Sequence, residues 1–430
     1  MNWNIYISLE VRFQLATAKK LFSSASVKHE TPNSSVAFFD AALPGSMPSL
    51  NPEALRLAIQ GALALNCDIA PICQFDRKLV FHPDSLAGYQ ITQHEMPLGE
   101  NGFIDLSQDL DEVEDMRIPI QSIQLEQDAI ESIQASHPTK RFLDFNRAGS
   151  PVIKITVPPC LHEEQTTGAL LRKLRMVLCH AGILNNKTEL DGMNCSVNIS
   201  SPSGTSHQKN IISGIKPFKI ELENLSSVQS VMTAIEFEVR RQFSPTENSN
   251  PLRTQVRGFD DKAGETFFLY EKLVPEGHLY VPETDIPPIN LSKAYVEKLN
   301  SSMKPLLDVL YATLTSKPYM LPKPEARALL FYPEGYSYYT SVWNNIVSQK
   351  NFSSDIINDA LRSLASFVVT NLSTIFNEQR ERGGFYSISP KQLAELVLSS
   401  YSKKGSPITS ETLVNWLATK AEKNSVSRMA

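Results

Sequence analysis

The sequence predicts an α+β protein whose N-terminal two-thirds is rich in strands and whose remainder is helical. Between residues 5 and 14, apolar side chains alternate with polar ones, as in a strand with one polar face. Between residues 163 and 181 the apolar positions recur at helical spacing, and Gly182 follows as a stop signal. After Pro287 and Pro288 every long pattern is helical. These three observations predict a sheet with a few helices, followed by an all-helical part.

The other elements follow from the same signals in chain order. Short strands are predicted at 79–82, 89–93, 152–157, 196–200 and 219–223, with a helix at 227–242. Further helices are predicted at 292–315, 355–381 and 391–400, and a last one begins near Thr409. Ser389 and Pro390 supply the N-cap and the first position of the helix at 391–400.

Two of the predicted strands carry charged side chains on a polar face. In the strand at 152–157, Ile153 and Ile155 are expected to pack inward, with Lys154 on the opposite side. The apolar phase changes between Ile120 and Ile123, which predicts a bulge near residues 121–122. Beyond that point Gln124, Glu126 and Asp128 share one face.

Length and composition favour a chain of several domains. At 430 residues the chain is too long for one ordinary core, and two or three domains are expected. The predicted boundaries lie near residues 290 and 385, giving domains 1–290, 291–385 and 386–430. No apolar run reaches the roughly 18 residues of a membrane span.

Cysteine usage and charge narrow the class further. The five cysteines are odd in number and contain no C-x-x-C pair, so neither a disulfide framework nor a zinc site is predicted. Residues 291–430 carry 16 Lys and Arg against 11 Asp and Glu, whereas residues 1–290 carry 25 against 35. The basic C-terminal part could approach an RNA backbone, although ordinary surface scatter explains this imbalance equally well.

The segment 75–94 carries the most specific chemistry. Arg77 and Lys78 enter a predicted hairpin, and Tyr89 and Gln90 leave it. Cationic and amide donors suit a phosphate or a nucleotide, whereas composition alone favours an ordinary solvated hairpin. The order of residues, however, resembles R-K-x-x-F-x-P-D-x-x-x-G-Y-Q-I-x-Q, a motif of the GatB/GatE family of tRNA-dependent amidotransferases. That family converts Glu-tRNA(Gln) or Asp-tRNA(Asn) to the amide form.

The resemblance extends over some 290 residues. Segments similar to family motifs follow in the expected order at 8–15, 20–22, 42–51, 63–67, 125–128, 144–151, 220–227, 236–242, 257–259 and 280–288. Together these segments identify the chain as a member of the family. The resemblance implies a large cradle-like catalytic domain, followed by a helical domain and a short helical tail.

The resemblance also implies a reaction and partners. In the family, an amidase subunit releases ammonia from glutamine, and the GatB protein uses ATP and Mg²⁺ to phosphorylate the side-chain carboxylate of the misacylated residue. Ammonia then displaces the phosphate, so the complex is a carbon–nitrogen ligase. The implied partners are the amidase subunit, a small third subunit and misacylated tRNA(Gln). No DNA partner is implied. The preference between Glu-tRNA(Gln) and Asp-tRNA(Asn) stays open.

Site residues are assigned by the same resemblance. Glu10, Glu126 and Asp128 are the expected catalytic residues, and Glu10 and Glu126 are also the expected Mg²⁺ ligands. The expected ATP- and phosphate-binding residues are Arg77, Lys78, Tyr89, Gln90, Arg147 and Arg257.

The chain departs from the family at several of these places. Arg12 and Lys154 stand where the family has the ligands His and Glu, which puts the metal site in doubt. If these cations share a polar strand face with Glu10 and Glu126, they are expected to pair with the two glutamates. The alternative is that the four side chains are exposed and unrelated. The cysteines of the family's zinc knuckle are absent, so no zinc is expected, and Glu223 and Tyr270 replace Lys and Arg.

Two functions of different classes therefore remain open. The chain is either the working transamidase subunit, with a remodelled phosphate site, or a catalytically degenerate scaffold that presents tRNA in the same complex. The missing zinc ligands favour a mitochondrial member, and a bacterial cytoplasmic one is the alternative. A strand that begins by Ile5 leaves no room for a removable transit peptide. The tail domain is expected to be shorter than is usual in the family.

Overall fold

The computed structural model describes residues 5–28, 31–80, 85–134, 141–184, 193–201, 219–242, 254–272, 279–349, 354–377 and 389–402. The chain divides into two units, Met1–Leu306 and Leu307–Ala430. No described helix combines the length and the hydropathy that crossing a membrane requires. The five cysteines all lie in described segments and are thiols rather than disulfides.

The first unit holds all the described strands and the first five helices. The strands are β1 Tyr6–Gln14, β2 Asp68–Ile69, β3 Ile72–Cys73, β4 Asp76–Leu79, β5 Tyr89–Thr92, β6 Gly99–Leu106, β7 Met116–Gln127, β8 Glu131–Gln134, β9 Arg141–Asp144, β10 Pro151–Leu161, β11 Met193–Ser200, β12 Lys219–Leu225, β13 Thr254–Asp260, β14 Glu265–Lys272, β15 Tyr280–Pro282 and β16 Ile289–Asn290. The helices are α1 Pro52–Ala64, α2 Gln108–Asp111, α3 Glu164–His180, α4 Val228–Gln242 and α5 Lys293–Ser301.

A nine-stranded sheet organises this unit in the order β14-β13-β12-β11-β1-β10-β7-β6-β2. Neighbouring strands are antiparallel except β12 and β13. Helices α1, α3 and α4 form a layer against one face. The alternation predicted for β1 is confirmed, because Ile7, Leu9, Val11 and Phe13 are buried in the core. The opposite face of the sheet is lined with polar side chains.

Helices α3 and α4 begin and end within one residue of the predicted limits. Gly182 follows α3 with a φ of 76°, a left-handed conformation that costs glycine little, so its predicted role as the stop is confirmed. Helix α1 carries Gly61, whose absent side chain lets the backbone approach Ile153 of β10.

A small sheet of order β15-β4-β5 contains the segment with the most specific motif. Strand β4 ends at Leu79, where the sequence predicted that a strand begins, because residues 76–79 pair with β5 and β15 on both sides. The rest of the predicted strand, 81–82, lies outside the described residues. Gln93 joins this sheet to β7, since its Oε1 accepts a hydrogen bond from the backbone of Leu125 at 2.8 Å.

The predicted bulge near residues 121–122 is wrong. Strand β7 keeps one register with β6 and β10 on both sides of Gln121, so it holds no extra residue. The buried face nevertheless changes there, and on β6 the facing Asn101 adopts a φ of 55°. The phase change therefore coincides with a left-handed residue on the neighbouring strand.

The helix predicted at 292–315 is two helices. Helix α5 ends at Ser301, and α6 begins at Leu307. Pro305 lies between them; a proline lacks the backbone donor that a continuous helix needs, and it disfavours helical geometry in the residue before it. The division between the units falls in this interruption, whereas the sequence placed a domain boundary near 290.

The second unit is helical in its described part. Its helices are α6 Leu307–Thr315, α7 Lys323–Leu330, α8 Gly335–Val347, α9 Ser354–Asn377 and α10 Pro390–Ser402. Helix α10 packs on α8 and α9 within this same unit, and no division near residue 385 separates it from them. The predicted cap of α10 is confirmed, since Ser389 Oγ accepts from the backbone of Gln392 at 3.4 Å. The helix predicted from Thr409 lies outside the described residues.

Candidate active site on the polar face of the sheet

Three central strands bring four charged side chains together on the polar face. Glu10 and Arg12 lie two residues apart on β1, and Arg12 stands directly opposite Lys154 on β10. Glu126 lies on β7, the next strand. Because the side-chain period of a strand is two, all four side chains lie on one face of the sheet. The prediction that they share a face is confirmed.

Glu126 is the centre of this group. Its Oε2 accepts from Arg12 Nε at 3.4 Å, and its Oε1 lies 3.0 Å from Lys154 Nζ. Arg12 also reaches Glu10, with 3.5 Å between Nη2 and Oε2. Two like charges directly opposite each other on neighbouring strands repel, and the carboxylate of Glu126 offsets that repulsion. The pairing of Arg12 and Lys154 with the glutamates is confirmed.

Burial makes these contacts of Glu126 unusually strong. The residue is 4% exposed, and Thr92 of β5 donates its hydroxyl to Oε1 at 2.5 Å. Burial acts to raise the pKa of Glu126, but Lys154, Arg12 and the Thr92 hydrogen bond outweigh it, so the pKa lies below its ordinary value. Glu126 is therefore held as a carboxylate.

Lys78 of β4 faces the same group. Burial lowers its pKa, and the nearby charges of Glu126, Lys154, Arg12 and Glu10 also act on it. In the part of the chain that the structure describes, Lys78 makes no hydrogen bond or ion pair. The group therefore holds three cations against two carboxylates. We call Glu10, Arg12, Lys78, Glu126 and Lys154 the β1–β10 charge cluster.

The other residues expected at the phosphate site lie around this cluster, but carboxylates already hold the arginines. Arg77 forms a two-pronged pair with Glu283 at 2.7 and 2.8 Å, and Asp285 lies 2.8 Å from it. Its guanidinium also lies over the Tyr89 ring, 4.5 Å from the centroid. Gln90 donates to the backbone oxygen of Gln127 at 2.8 Å.

A cleft of about 270 Å³ adjoins the cluster on this side. Tyr89, Gln90 and Asp128 line it together with small and apolar residues. Arg147 pairs with Asp128 at 2.9 Å and is half-exposed. Asp128, Tyr89 and Gln90 are thus brought together, close to the β7 end that carries Glu126.

Arg257 lies elsewhere. It is buried against α4, on the helix-covered side of the sheet, with Nε 2.7 Å from Glu238. Its Nη2 also donates to the backbone oxygen of Thr266 at 2.9 Å. The structure does not bring Arg257 together with the β1–β10 charge cluster, because the sheet separates them.

The motif segments contained the remaining contributors without revealing their roles. Thr92 was a hairpin donor with no assigned partner, and Glu283 stood in a motif with no assigned role. Glu283 is 206 positions from Arg77 and Thr92 is 34 from Glu126, so no local pattern could pair them. On the same polar face, Lys272 pairs with Glu221 at 2.6 Å, and Tyr270 donates to Glu223 at 3.4 Å.

A polar sheet face with a charge cluster at its centre is what comparison with known proteins also identifies. The family model of the GatB/GatE catalytic domain matches residues 5–297. The chain belongs to this family, as the sequence predicted.

Three fungal relatives agree, each named as the mitochondrial GatB protein of a glutamyl-tRNA(Gln) amidotransferase. The chain is 38% identical over 413 residues to the one from Schizosaccharomyces japonicus, covering 94% of this chain and 80% of the relative. It is 33% identical to the one from Candida tropicalis, over 81% and 69% of the two chains. It is 34% identical to the one from Penicillium rubens, over 92% and 69%. The mitochondrial names agree with the localisation that the sequence predicted.

Proposed function

We propose that this chain is the GatB component of a mitochondrial glutamine-dependent amidotransferase that converts Glu-tRNA(Gln) to Gln-tRNA(Gln). The observation that carries the proposal is the β1–β10 charge cluster within a catalytic domain of this family. Its partners would be an amidase subunit, a small third subunit and the misacylated tRNA. The cradle-like shape expected for the first unit belongs to this proposal.

The reaction has two steps. The γ-phosphoryl group of ATP passes to an oxygen of the glutamyl side-chain carboxylate, which releases ADP and leaves an acyl phosphate. Ammonia then attacks the acyl carbon; the C–N bond forms, the C–O bond to phosphate breaks, and phosphate and one proton leave. A carboxylate is a poor acyl donor, so phosphorylation is what makes the second step feasible.

The chain's own residues would contribute charge and position. Lys78 is a cation with no partner in the described part of the chain, and it suits the oxygens of the transferring phosphoryl group. Glu126 would hold Arg12 and Lys154 beside it. Asp128, at the cleft lined by Tyr89 and Gln90, is the proposed acceptor of the proton that ammonia loses.

The expected magnesium ion does not fit at Glu10 and Glu126. Fixed cations already contact both glutamates, so no step is assigned to a metal there. ATP fits the cluster better, because its phosphates need cations, and three are present. Arg77 and Arg147 would have to exchange a carboxylate for phosphate to take part.

A transamidation assay on the reconstituted complex tests the proposal. Glu-tRNA(Gln) should yield Gln-tRNA(Gln) only when glutamine and ATP are both present. Lys78→Met should slow the reaction roughly 100-fold, the scale of removing one charge-stabilising donor. Lys262→Met, at the exposed β13–β14 turn, is the matched control and should leave the rate unchanged. Comparing Asp-tRNA(Asn) as substrate determines the preference.

A catalytically degenerate scaffold is the second candidate. It is favoured by one observation: Arg77, Arg147 and Arg257 are each already paired with a carboxylate. A complex that binds misacylated tRNA but forms no product with ATP and glutamine would establish this function and refute the first. An ATP-dependent product that is lost in Lys78→Met would refute the scaffold.

A further inference from the structure

Two glutamates on one polar face would ordinarily suggest a divalent-cation site. Glu10 and Glu126 come from different strands, and carboxylate oxygens are the ligands that Mg²⁺ prefers. The family to which the chain belongs implies a metal ion here. The contacts of the two side chains nevertheless indicate something else.

Both oxygens of Glu126 are already occupied. Lys154 and Thr92 contact Oε1, while Arg12 contacts Oε2. Glu10 is held through Oε2 by the same arginine. A metal ion binding at Glu126 would therefore have to displace a cation from a carboxylate that is 4% exposed.

The charge balance argues in the same direction. Five members of the cluster carry a net charge of one positive unit, so a divalent ion would raise it to three. Cations packed together in a partly buried site repel strongly. In the described ranges of the chain, no group of three His, Cys, Asp or Glu side chains is arranged to hold a metal.

We infer that Arg12 and Lys154 are built-in cations that stand in the place of a divalent ion between Glu10 and Glu126. The surplus positive charge, carried by Lys78, then makes the cluster a site for a phosphate oxyanion. The oxyanion part of this inference rests on the proposed function, and the metal part does not. Any magnesium needed for catalysis would arrive with the nucleotide.

Titration of the nucleotide-free, full-length chain with Mn²⁺ tests the metal part. Free Mn²⁺, followed by electron paramagnetic resonance, should fall equally for the unmodified protein and for Glu126→Gln. The double variant Arg12→His with Lys154→Glu should bind one additional Mn²⁺, and adding Glu126→Gln should remove it. Mn²⁺ binding by the unmodified protein that Glu126→Gln abolishes would overturn the inference.

The comparison of the unmodified protein with Glu126→Gln is informative even if the double variant does not fold. It asks directly whether Glu126 holds a metal ion in the natural cluster. A folded double variant that gains no Mn²⁺ site would count against the inference, because it would show that the two cations are not what excludes the metal.

Metal-free pyrophosphate is the probe for the oxyanion part. Its binding to the same protein should weaken about tenfold or more in Lys78→Met and stay unchanged in Lys262→Met. Equal binding by the Lys78→Met variant and the unmodified protein would refute the oxyanion site. An inactive complex combined with unchanged Mn²⁺ and pyrophosphate results would refute the proposed function alone.

Discussion

Lys20 and Asp40 form a fully buried ion pair that anchors the segment after β1. Lys20 Nζ lies 3.0 Å from Asp40 and donates to the backbone oxygen of Phe145 at 2.9 Å. Asp40 also accepts from Ser23 Oγ and from the backbone of Ala37. Burial lowers the pKa of Lys20, although Asp40 opposes that effect. This pair lies in the region where the family's zinc knuckle was expected and its cysteines are absent.

Removing one member of that pair should be costly. Lys20→Met is expected to lower the free energy of unfolding by about 3–5 kcal/mol, because Asp40 would remain buried and charged. Lys19→Met, at the exposed neighbouring position, is the control and should change stability little. Urea denaturation of the full chain measures both. Equal midpoints for the two variants would show that the pair does not stabilise this segment.

The low pKa of Glu126 predicts a pH dependence with a definite sign. Because the folded pKa lies below the ordinary 4.5, the stabilisation is present above about pH 4.5 and is lost as pH falls through the folded value. At pH 7, Glu126→Gln should therefore be less stable than the unmodified protein by about 3 kcal/mol. This difference should shrink below about pH 4.

Urea denaturation of both proteins at about pH 7 and about pH 3.5 checks this expectation. A difference that stays constant across the two pH values would show that Glu126 is not held ionised by its neighbours. Glu53→Gln is a suitable comparison, since that carboxylate also has a lowered pKa but pairs with Arg56 at the surface. Its effect should be far smaller.

At the scale of an element, α10 carries a reciprocal cap. Ser389 Oγ accepts from the backbone of Gln392, and the Gln392 side chain accepts from the backbone of Ser389 at 3.2 Å. Together these two bonds satisfy donors that the start of a helix leaves free. The Ser-Pro pair in the sequence was therefore sufficient to locate the beginning of this helix.

Ser389→Ala should destabilise α10 by about 1 kcal/mol, since it removes the hydroxyl acceptor. Ser389→Thr keeps an acceptor and should recover most of the loss. Hydrogen exchange of the α10 amides is the measurement, with faster exchange expected for the alanine variant alone. Equal exchange in all three proteins would mean that packing on α8 and α9, rather than the cap, sets the stability of this helix.

At the scale of the whole molecule, the position of the division between units can be tested. Helix α5 packs on α1 and buries Leu299, and the backbone of Leu291 bonds to Pro71. These contacts attach residues 291–306 to the first unit. Pro305, rather than the Pro287-Pro288 pair, accordingly marks the end of that unit.

A fragment of residues 1–306 should fold and melt cooperatively, whereas residues 1–290 should be less stable by about 2 kcal/mol or more. The shorter fragment loses the burial of Leu291 and Leu299. Thermal unfolding followed by circular dichroism compares them. A melting temperature that is the same for both fragments would show that α5 contributes nothing to the first unit.

The sequence predicted well wherever a local rule is sufficient. Alternation fixed the buried and polar faces of β1 and β10, and amphipathic spacing with Gly182 located α3. It also placed Arg12 and Lys154 with the glutamates, because strand periodicity and the order of family motifs constrain which faces meet. The predictions failed where the rule was overridden, as at Pro305, or where a neighbouring strand carried the irregularity, as at Asn101.

By itself, then, the sequence determined the family, the helical and strand-rich parts, and the inventory of charges. Only the tertiary structure decided how those charges are distributed: Arg77 goes to Glu283, Arg257 to Glu238 beneath α4, and Lys78 faces the cluster. Ion pairing depends on distance and burial in three dimensions. Separations of 206 and 114 positions, such as those of Arg77–Glu283 and Arg12–Glu126, leave no trace in local patterns.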